Sequence, residues 1–310
     1  MNWMDFLYVT FPTSGVKTWV FLPPLVAFAV SFFTSMGGVS GAFLLLPFQV
    51  SGLGYTSPSV SGTNQVFNAV AIPSGVYRYI KEGRMVWPLT WVVIIGTLPG
   101  VFIGAWVRVV YLPDPRNFKL FAGLVLLYIG VRLAWDALKG KSGGALAKKG
   151  AGAAAGSICV TDTRFSLRCV EYKFAGVSYT FSPGWVFVMT FIVGIVGGIY
   201  GIGGGAIVAP FFVAIFKMPV YTIAGAALMG TFITSIAGVI FYQLLDFYMA
   251  TQMSVGPDWL LGALFGAGGF CGMYLGARCQ KFVPGRIIKL VLCACILFVA
   301  IRYVLGFFSE

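Results

Sequence analysis

The sequence predicts an all-α polytopic membrane protein made of two inverted repeats. Each repeat is a broken, re-entrant helical hairpin followed by three transmembrane helices, and a small cytoplasmic β-hairpin insert lies between them. Three observations carry this expectation. Of the 310 residues, 59% are hydrophobic and only 10% are charged, against about 25% charged in a soluble domain. Apolar stretches long enough to cross a bilayer, about 20 residues each, recur along the whole chain. The order of those stretches occurs twice.

Element by element, residues 1–138 form the first repeat. The opening residues lack a basic, small-residue leader pattern. Trp3, Phe6, Leu7 and Phe11 suit a short amphipathic turn at the membrane surface. Residues 19–50 are apolar but interrupted by TSMGGVSG, Thr34 to Gly41. Such a stretch is too long for one upright helix and too short for two full spans. Glycines do not continue a helix cheaply, so two half-length helices meeting near the midplane fit best. Spans follow at 58–80, 87–111 and 117–138. Residues 139–183 form a cytoplasmic segment. It opens with a Gly/Ala/Lys-rich linker, and then RFSLRCVEYKFAGVSYTF alternates polar and apolar residues, a β-hairpin turning at Ala175–Gly176. Residues 184–310 form the second repeat: an apolar segment broken by YGIGGG, Tyr200 to Gly205, then spans at 221–245, 259–280 and 286–308.

The recurrence extends to single residues. A shift of 163 pairs Gly38 with Gly201, Gly41 with Gly204, Pro47 with Pro210, Gly62 with Gly225, Gly75 with Gly238 and Tyr79 with Tyr242. A shift of 170–172 pairs Gly96, Gly100 and Gly104 with Gly268, Gly272 and Gly276, and Arg116, Lys119 and Arg132 with Arg286, Lys289 and Arg302. The ordered series, with its proline and arginines, marks an internal repeat.

A re-entrant hairpin plus three crossings is an odd number, so the second half must be inverted. Charge agrees. Inversion places Arg78, Lys81, Arg84, the basic linker, Lys217 and the Arg278–Lys289 loop in the cytoplasm, as the positive-inside rule asks. Both termini are then external. The misfit is the outer loop with Arg108, Arg116 and Lys119, offset only by Asp114.

The residues that bear chemistry are few. There is no histidine, and no nucleophile–base constellation, so an enzyme is not expected. No metal and no cofactor is expected either. All nine acidic residues fall in loops or at span ends, so a proton or Na⁺ relay through the membrane lacks its usual carboxylate. The six cysteines form no CxxC pair and read as packing thiols. The net charge of +12 suits basic loops against anionic lipid headgroups better than nucleic acid. What remains is an anion site of backbone and neutral side chains. Gly38, Ser40 and Gly41 in one break, and Gly203, Gly204 and Gly205 in the other, would aim helix N-termini and their unpaired N–H groups at the midplane. Asn64, Gln65 and Asn68 put three amides within five residues of one span, an arrangement costly in lipid. Asn68 pairs with Thr231 across the repeat, and Thr234 and Ser235 lie one turn on. Arg132 and Arg302, at equivalent places in the last spans, are candidate vestibule charges. Arg108 and Arg278 read as end-of-helix anchors, and Gln243 as interfacial. The two Gly triplets spaced by four read as helix-packing surfaces.

The two breaks, TSMGGVSGAFLLLPF and YGIGGGAIVAPFF, resemble the glycine-rich signatures of the TauE/SafE sulfite exporter family, also called toluene-sulfonate uptake permeases. The first half departs from that pattern at GGVSG, where Ser40 stands in place of a glycine, and the inserted hairpin lies outside the usual core. The resemblance implies a secondary carrier or permease for small sulfur-containing anions such as sulfite, sulfonates and sulfoacetate. Its cheaper direction is export, because an inside-negative potential favours anion exit by about 2.3 kcal/mol per charge per 100 mV. An anion channel, or a receptor docking a cytoplasmic partner on the hairpin, is the alternative. The expected partners are a small anion, membrane lipid, a second copy of the chain as a homodimer, and an unidentified cytoplasmic partner of the insert. The expected location is the cell's inner (plasma) membrane.

Overall fold

The computed structural model describes residues 7–36, 39–83, 85–138, 160–166, 169–174, 177–205, 207–208, 211–212, 220–249, 253–279 and 285–309. Gly38, the 139–159 linker, the Ala175–Gly176 turn and Lys281 lie outside them.

The amino-terminal stretch is a two-stranded antiparallel hairpin, β1 (Tyr8–Thr10) and β2 (Lys17–Trp19), pairing Tyr8 with Trp19. This corrects the interfacial placement of Phe11; Trp3 and Phe6 of the expected amphipathic turn lie outside the described residues. Phe11 is fully buried, and Ser14 donates to the Asp258 carboxylate at 2.8 Å. That partner lies 244 residues away, so no local pattern announces the pairing.

The first break separates α1 (Leu22–Met36) from α2 (Ala42–Pro47), and a π-helical turn, Phe48–Gly52, continues α2. Beyond the break the chain folds back along α1: the Cβ direction of Gly41 meets Ser31 Oγ at 3.0 Å and Thr34 Oγ1 at 3.3 Å. Then come α3 (Ser59–Lys81), α4 (Trp87–Val110) and α5 (Pro115–Leu138). In the second half α6 (Pro183–Tyr200) precedes the break, and helical turns resume at Gly205. The chain reverses here too, since the Cβ direction of Gly197 meets Gly203 O at 2.6 Å. α7 (Val220–Met249), α8 (Trp259–Cys279) and α9 (Gly285–Ser309) complete the bundle. Asp258 caps α8 by accepting from Leu261 N at 3.0 Å, the ordinary stabilisation of a helix start.

The broken arms are longer than half a membrane. At 1.5 Å per residue, α1 is about 22 Å long and α6 about 27 Å, against a hydrocarbon core of about 30 Å. Only the returning arm is short: Pro47 lacks an N–H, and α2 gives way there to the π-helical turn.

Among the described residues, four helices are long and apolar enough to cross a membrane: Trp87–Val110, Pro183–Tyr200, Thr222–Met249 and Trp259–Cys279. α3 falls short in hydropathy because it carries Thr63, Asn64, Gln65 and Asn68, all fully buried. Its polar residues face protein rather than lipid.

Four helix pairings set the directions in the bundle, α1 with α8, α4 with α6, α3 with α7 and α5 with α9, and α3 also packs on α8 and α4 on α7. The glycine triplets make the first two close. Gly268, Gly272 and Gly276 pack on the carbonyls of Pro24, Phe28 and Phe32, and Gly96, Gly100 and Gly104 on the backbone of α6 from Phe187 to Ile199. Both pairs run parallel, as the rising numbers on each side show. The other two run antiparallel. In α5 and α9, Gly123 meets Tyr303 and Gly130 meets Leu297. In α3 and α7 one contact occurs twice with partners exchanged: Gly62 against Tyr242, and Gly225 against Tyr79, each at 3.3 Å.

Between the halves stands an antiparallel three-stranded sheet rather than a two-stranded hairpin: β3 (Val160–Phe165), β4 (Val170–Phe174) and β5 (Val177–Phe181). β4 and β5 pair antiparallel, Phe174 with Val177, on either side of the expected turn, which lies outside the described residues. β3 pairs with β4 across a register shift, which hides it from a strict alternation pattern. The sheet docks on the bundle. Val170, Tyr172, Phe174 and Phe181 are buried, Tyr172 OH shares a hydrogen bond with Thr222 Oγ1 at 3.1 Å, and Val160 N donates to Gly83 O. The face left exposed carries Lys173, Ser178 and Thr180.

Candidate functional site

The two breaks, some 160 residues apart in sequence, meet on α3. Asn64 Nδ2 donates to the carbonyl of Ala42, the first residue of α2 past the first break, and to Gly201 O in the second break, both at 3.1 Å. Asn68 Nδ2 donates to Ile202 O at 2.9 Å, while its Oδ1 accepts from Ser40 Oγ at 2.5 Å. Gln49 Nε2 donates to Asn64 Oδ1 at 3.3 Å, and Ser61 Oγ to Ile199 O at 3.2 Å. Tyr200 OH reaches back to Phe43 O at 3.0 Å. Asn64, Asn68, Ser40 and Gln49 are fully buried. Gly201 and Ile202, just past the end of α6, have carbonyls without helical partners, and the amides of α3 supply them.

This refines the expected chemistry. The amide nitrogens of Asn64 and Asn68, expected to donate to an anion, donate to backbone carbonyls and join the two breaks. The N–H groups expected to face an anion are partly occupied as well. Ser40 Oγ accepts from Ala42 N at 3.3 Å, and Thr234 Oγ1 accepts from Gly204 N at 3.1 Å. Thr231 and Thr234 donate to the carbonyls of Ala227 and Gly230 on their own helix at 2.8 and 2.7 Å.

Glycine is required in the second break by shape. Gly201 and Gly203 have φ of +79° and +74°, a region L side chains rarely adopt. A Cβ on Gly201 would lie 2.5 Å from Ser61 O, and one on Gly203 would lie 2.9 Å from Ser235 Oγ. Gly205 lies against Thr231, and Gly204 against Thr97 of α4.

The groups left over are the informative ones. Both amide atoms of Gln65, and Ser235 Oγ, Ser31 Oγ and Gln49 Oε1, are buried without a hydrogen-bond partner. Native interiors seldom leave such groups without a partner, whether protein, ordered water or ligand. They gather at the breaks: Gln65 beside Gly238 on the face of α7 that carries Ser235, Ser235 beside Gly203, and Ser31 beside Gly41. Together they offer two hydroxyls and one amide NH2 that can donate to the oxygens of a small anion, and two amide oxygens that can only accept. Ser31 and Gln49 were absent from the sequence-predicted set. Their one signal is a polar side chain within the apolar segments flanking the first break.

The remaining candidates lie elsewhere. Gly38 is outside the described residues. Arg132 stands on α5 and Arg302 on α9. Gln243 is exposed and accepts from Trp259 Nε1 at 3.1 Å, as an interfacial residue would. Arg108 corrects the sequence reading. It is fully buried rather than an end anchor: its guanidinium lies 3.7 Å over the Phe118 ring, one nitrogen donates to Leu112 O, and Nε and Nη2 have no partner. Its breach of the charge rule was the available clue. Among the described residues no group of His, Cys, Asp or Glu could hold a metal ion.

A family model described as "Sulfite exporter TauE/SafE" matches residues 24–303, which span both breaks and every helix of the bundle core. The chain belongs to the TauE/SafE family. It is also similar to the "Probable membrane transporter protein YunE" of Bacillus subtilis (strain 168), 23% identical over 221 residues, 71% of this chain and 70% of that protein. No solved structure matches. As a TauE/SafE protein the chain is a helical membrane transporter, and the glycine-rich breaks that carried the resemblance are the segments joined by Asn64 and Asn68.

Proposed function

We propose that this TauE/SafE protein is a secondary transporter that exports small sulfur-containing anions, sulfite and sulfonates such as sulfoacetate, by alternating access around a midplane site. The observation that carries this reading is the buried cluster at the joined breaks. Ser235 presents an unpartnered hydroxyl beside Gly203, Gln65 an unpartnered amide beside Gly238 one helical turn from Ser235, and Ser31 an unpartnered hydroxyl beside Gly41. Neutral donors suit an anion that must bind and leave. The cluster holds no acid or histidine, so the anion gradient and the membrane potential drive the flux.

The repeats are inverted in this proposal, with both termini external and the sheet in the cytoplasm of a plasma-membrane protein. The antiparallel packing of the equivalent helices α3 and α7, and of α5 and α9, supports inversion, as does the contact repeated with partners exchanged. The close parallel pairs suggest the moving bodies. α1, α8 and α3 form one and α6, α4 and α7 the other, so each body takes helices from both repeats. Rocking of one against the other then breaks the bonds from Asn64 and Asn68 to the second break. The sheet's exposed face is the surface left for a cytoplasmic partner.

Reconstitution tests the proposal. Proteoliposomes are expected to take up radiolabelled sulfite saturably, with acceleration by sulfite or sulfoacetate on the opposite side. Uptake that is linear in concentration, without acceleration, would indicate a channel instead.

A further inference from the structure

A cavity of about 560 Å³ lies between the returning arm of the first break and helices α5 and α9. Its wall holds three cations, Arg116, Lys119 and Arg302, and, among the described residues, no carboxylate. Asp114, the acid nearest in sequence, accepts from Arg116 N at the start of α5. Arg116 donates to Phe307 O at 2.9 Å and stacks over the Phe307 ring. Lys119 and Arg302 make no ion pair among the described residues. Two hydroxyls face the same space, with Ser51 Oγ donating to Tyr303 OH at 3.0 Å and Tyr303 OH donating to Pro47 O at 3.3 Å.

Three like charges in one wall repel each other, and only an anion between them reverses the sign of that interaction. Membrane topology does not account for them. In the proposed orientation this end of the bundle is external, where Lys and Arg are depleted. Part of the outer loop that breaks the charge pattern thus converges, with Arg302 from the far end of the chain, on one cavity. The cavity is also lined by Pro47 and Phe48, so it touches the arm that leads to Ala42 and the midplane cluster.

We propose that this cavity is an oxyanion-binding site on the outer face, distinct from the midplane cluster. Arg116, Lys119 and Arg302 provide the charge, and Ser51 can turn its O–H from Tyr303 to the anion. The ligand is a small oxyanion, either a free sulfur oxyanion or the phosphate of an anionic lipid headgroup. Its role as an antechamber rests on the transport reading, whereas its binding chemistry does not.

The test uses the full chain purified in neutral detergent and reads binding, so it stands apart from any failure of transport. Sulfate is titrated against the thermal midpoint at constant ionic strength, held with chloride. In parallel, retention of phosphatidylglycerol and of phosphatidylcholine is measured by native mass spectrometry. A saturable sulfate effect in the wild type, weakened at least tenfold in the K119Q/R302Q double variant, supports a free oxyanion. Phosphatidylglycerol held by the wild type and lost from the variant, with phosphatidylcholine held by neither, supports a headgroup phosphate. R302Q alone, on an exposed side chain, is expected to weaken binding about threefold and guards against misfolding of the double variant. R278Q leaves binding unchanged. Equal responses of wild type and double variant to both sulfate and phosphatidylglycerol would overturn the proposal.

Discussion

Asn64→Leu isolates the joint between the two breaks. The substitution keeps approximate volume and removes the amide. Three bonds are lost, to Ala42 O and Gly201 O and from Gln49 Nε2, while Ala42 O keeps its partner within α2. A buried polar group left unsatisfied costs about 1–3 kcal/mol, which would give about 2–6 kcal/mol for the other two groups. Interhelical bonds measured within membranes average about 0.6 kcal/mol, which sets a floor of about 2 kcal/mol for three. The first two bonds hold the breaks of opposite halves to one side chain, so the loss falls on the joined conformation rather than on one helix. Denaturant unfolding in detergent measures it, with sulfite flux in proteoliposomes as the second readout. The expectation is a loss of at least about 2 kcal/mol together with a fall in flux of tenfold or more. A stability change under about 0.5 kcal/mol, within the range of an ordinary surface substitution, with wild-type flux, would refute the joint.

Four further outcomes follow. Gly201→Ala, which places a Cβ 2.5 Å from Ser61 O at a φ of +79°, should lower both thermal midpoint and flux; Gly184→Ala, where nothing lies within 4 Å, should change neither, and equal behaviour of the two would remove the shape argument. Arg108→Met keeps much of the side-chain volume and removes a buried cation with two unpartnered nitrogens; because such a charge costs several kcal/mol to bury, on the order of the desolvation penalty of one ion, the thermal midpoint should rise or hold, and a clear fall would contradict the assignment. Burial pushes the Tyr172 hydroxyl, outside the membrane spans, up from 10.0 to about 12. Its neutral form is favoured in the fold, so the sheet's attachment is fully stable below pH 10 and weakens as pH rises towards 12, by up to about 3 kcal/mol at 1.36 kcal/mol per unit; the midpoint of Tyr172→Phe should lose that extra pH dependence, and parallel pH curves would exclude it. Flux should persist without a pH gradient and respond to an imposed potential, and a strict need for the gradient with a substrate that does not titrate near neutrality would exclude transport driven by anion gradient and potential.

Much of this architecture was legible in the sequence because a bilayer constrains it severely. Runs of about 20 apolar residues gave α3, α4, α5, α7, α8 and α9, and the glycine triplets identified the close parallel pairs. The polar run of α3 pointed to the bundle centre, since three amides in a lipid-facing helix would be prohibitive. What the sequence could not supply was partnership at long range. Nothing near Ser14 names Asp258, and nothing near Asn64 says that its nitrogen goes to Ala42 and Gly201 rather than to an anion. Arg108 looked like any helix-end arginine until its surroundings, Phe118 and Leu112, were in place. Strand β3 was missed because its register shift breaks the alternation that identifies β4 and β5.

The midplane site is tested most directly through Gln65, whose amide is buried without a partner and which holds none of the joining bonds. Sulfite counterflow in proteoliposomes should be saturable in the wild type and fall at least tenfold in Gln65→Leu, with an unchanged or higher thermal midpoint, because the substitution removes a buried unsatisfied group. Wild-type counterflow in Gln65→Leu, or no counterflow of sulfite or any sulfonate in the wild type, would contradict the account.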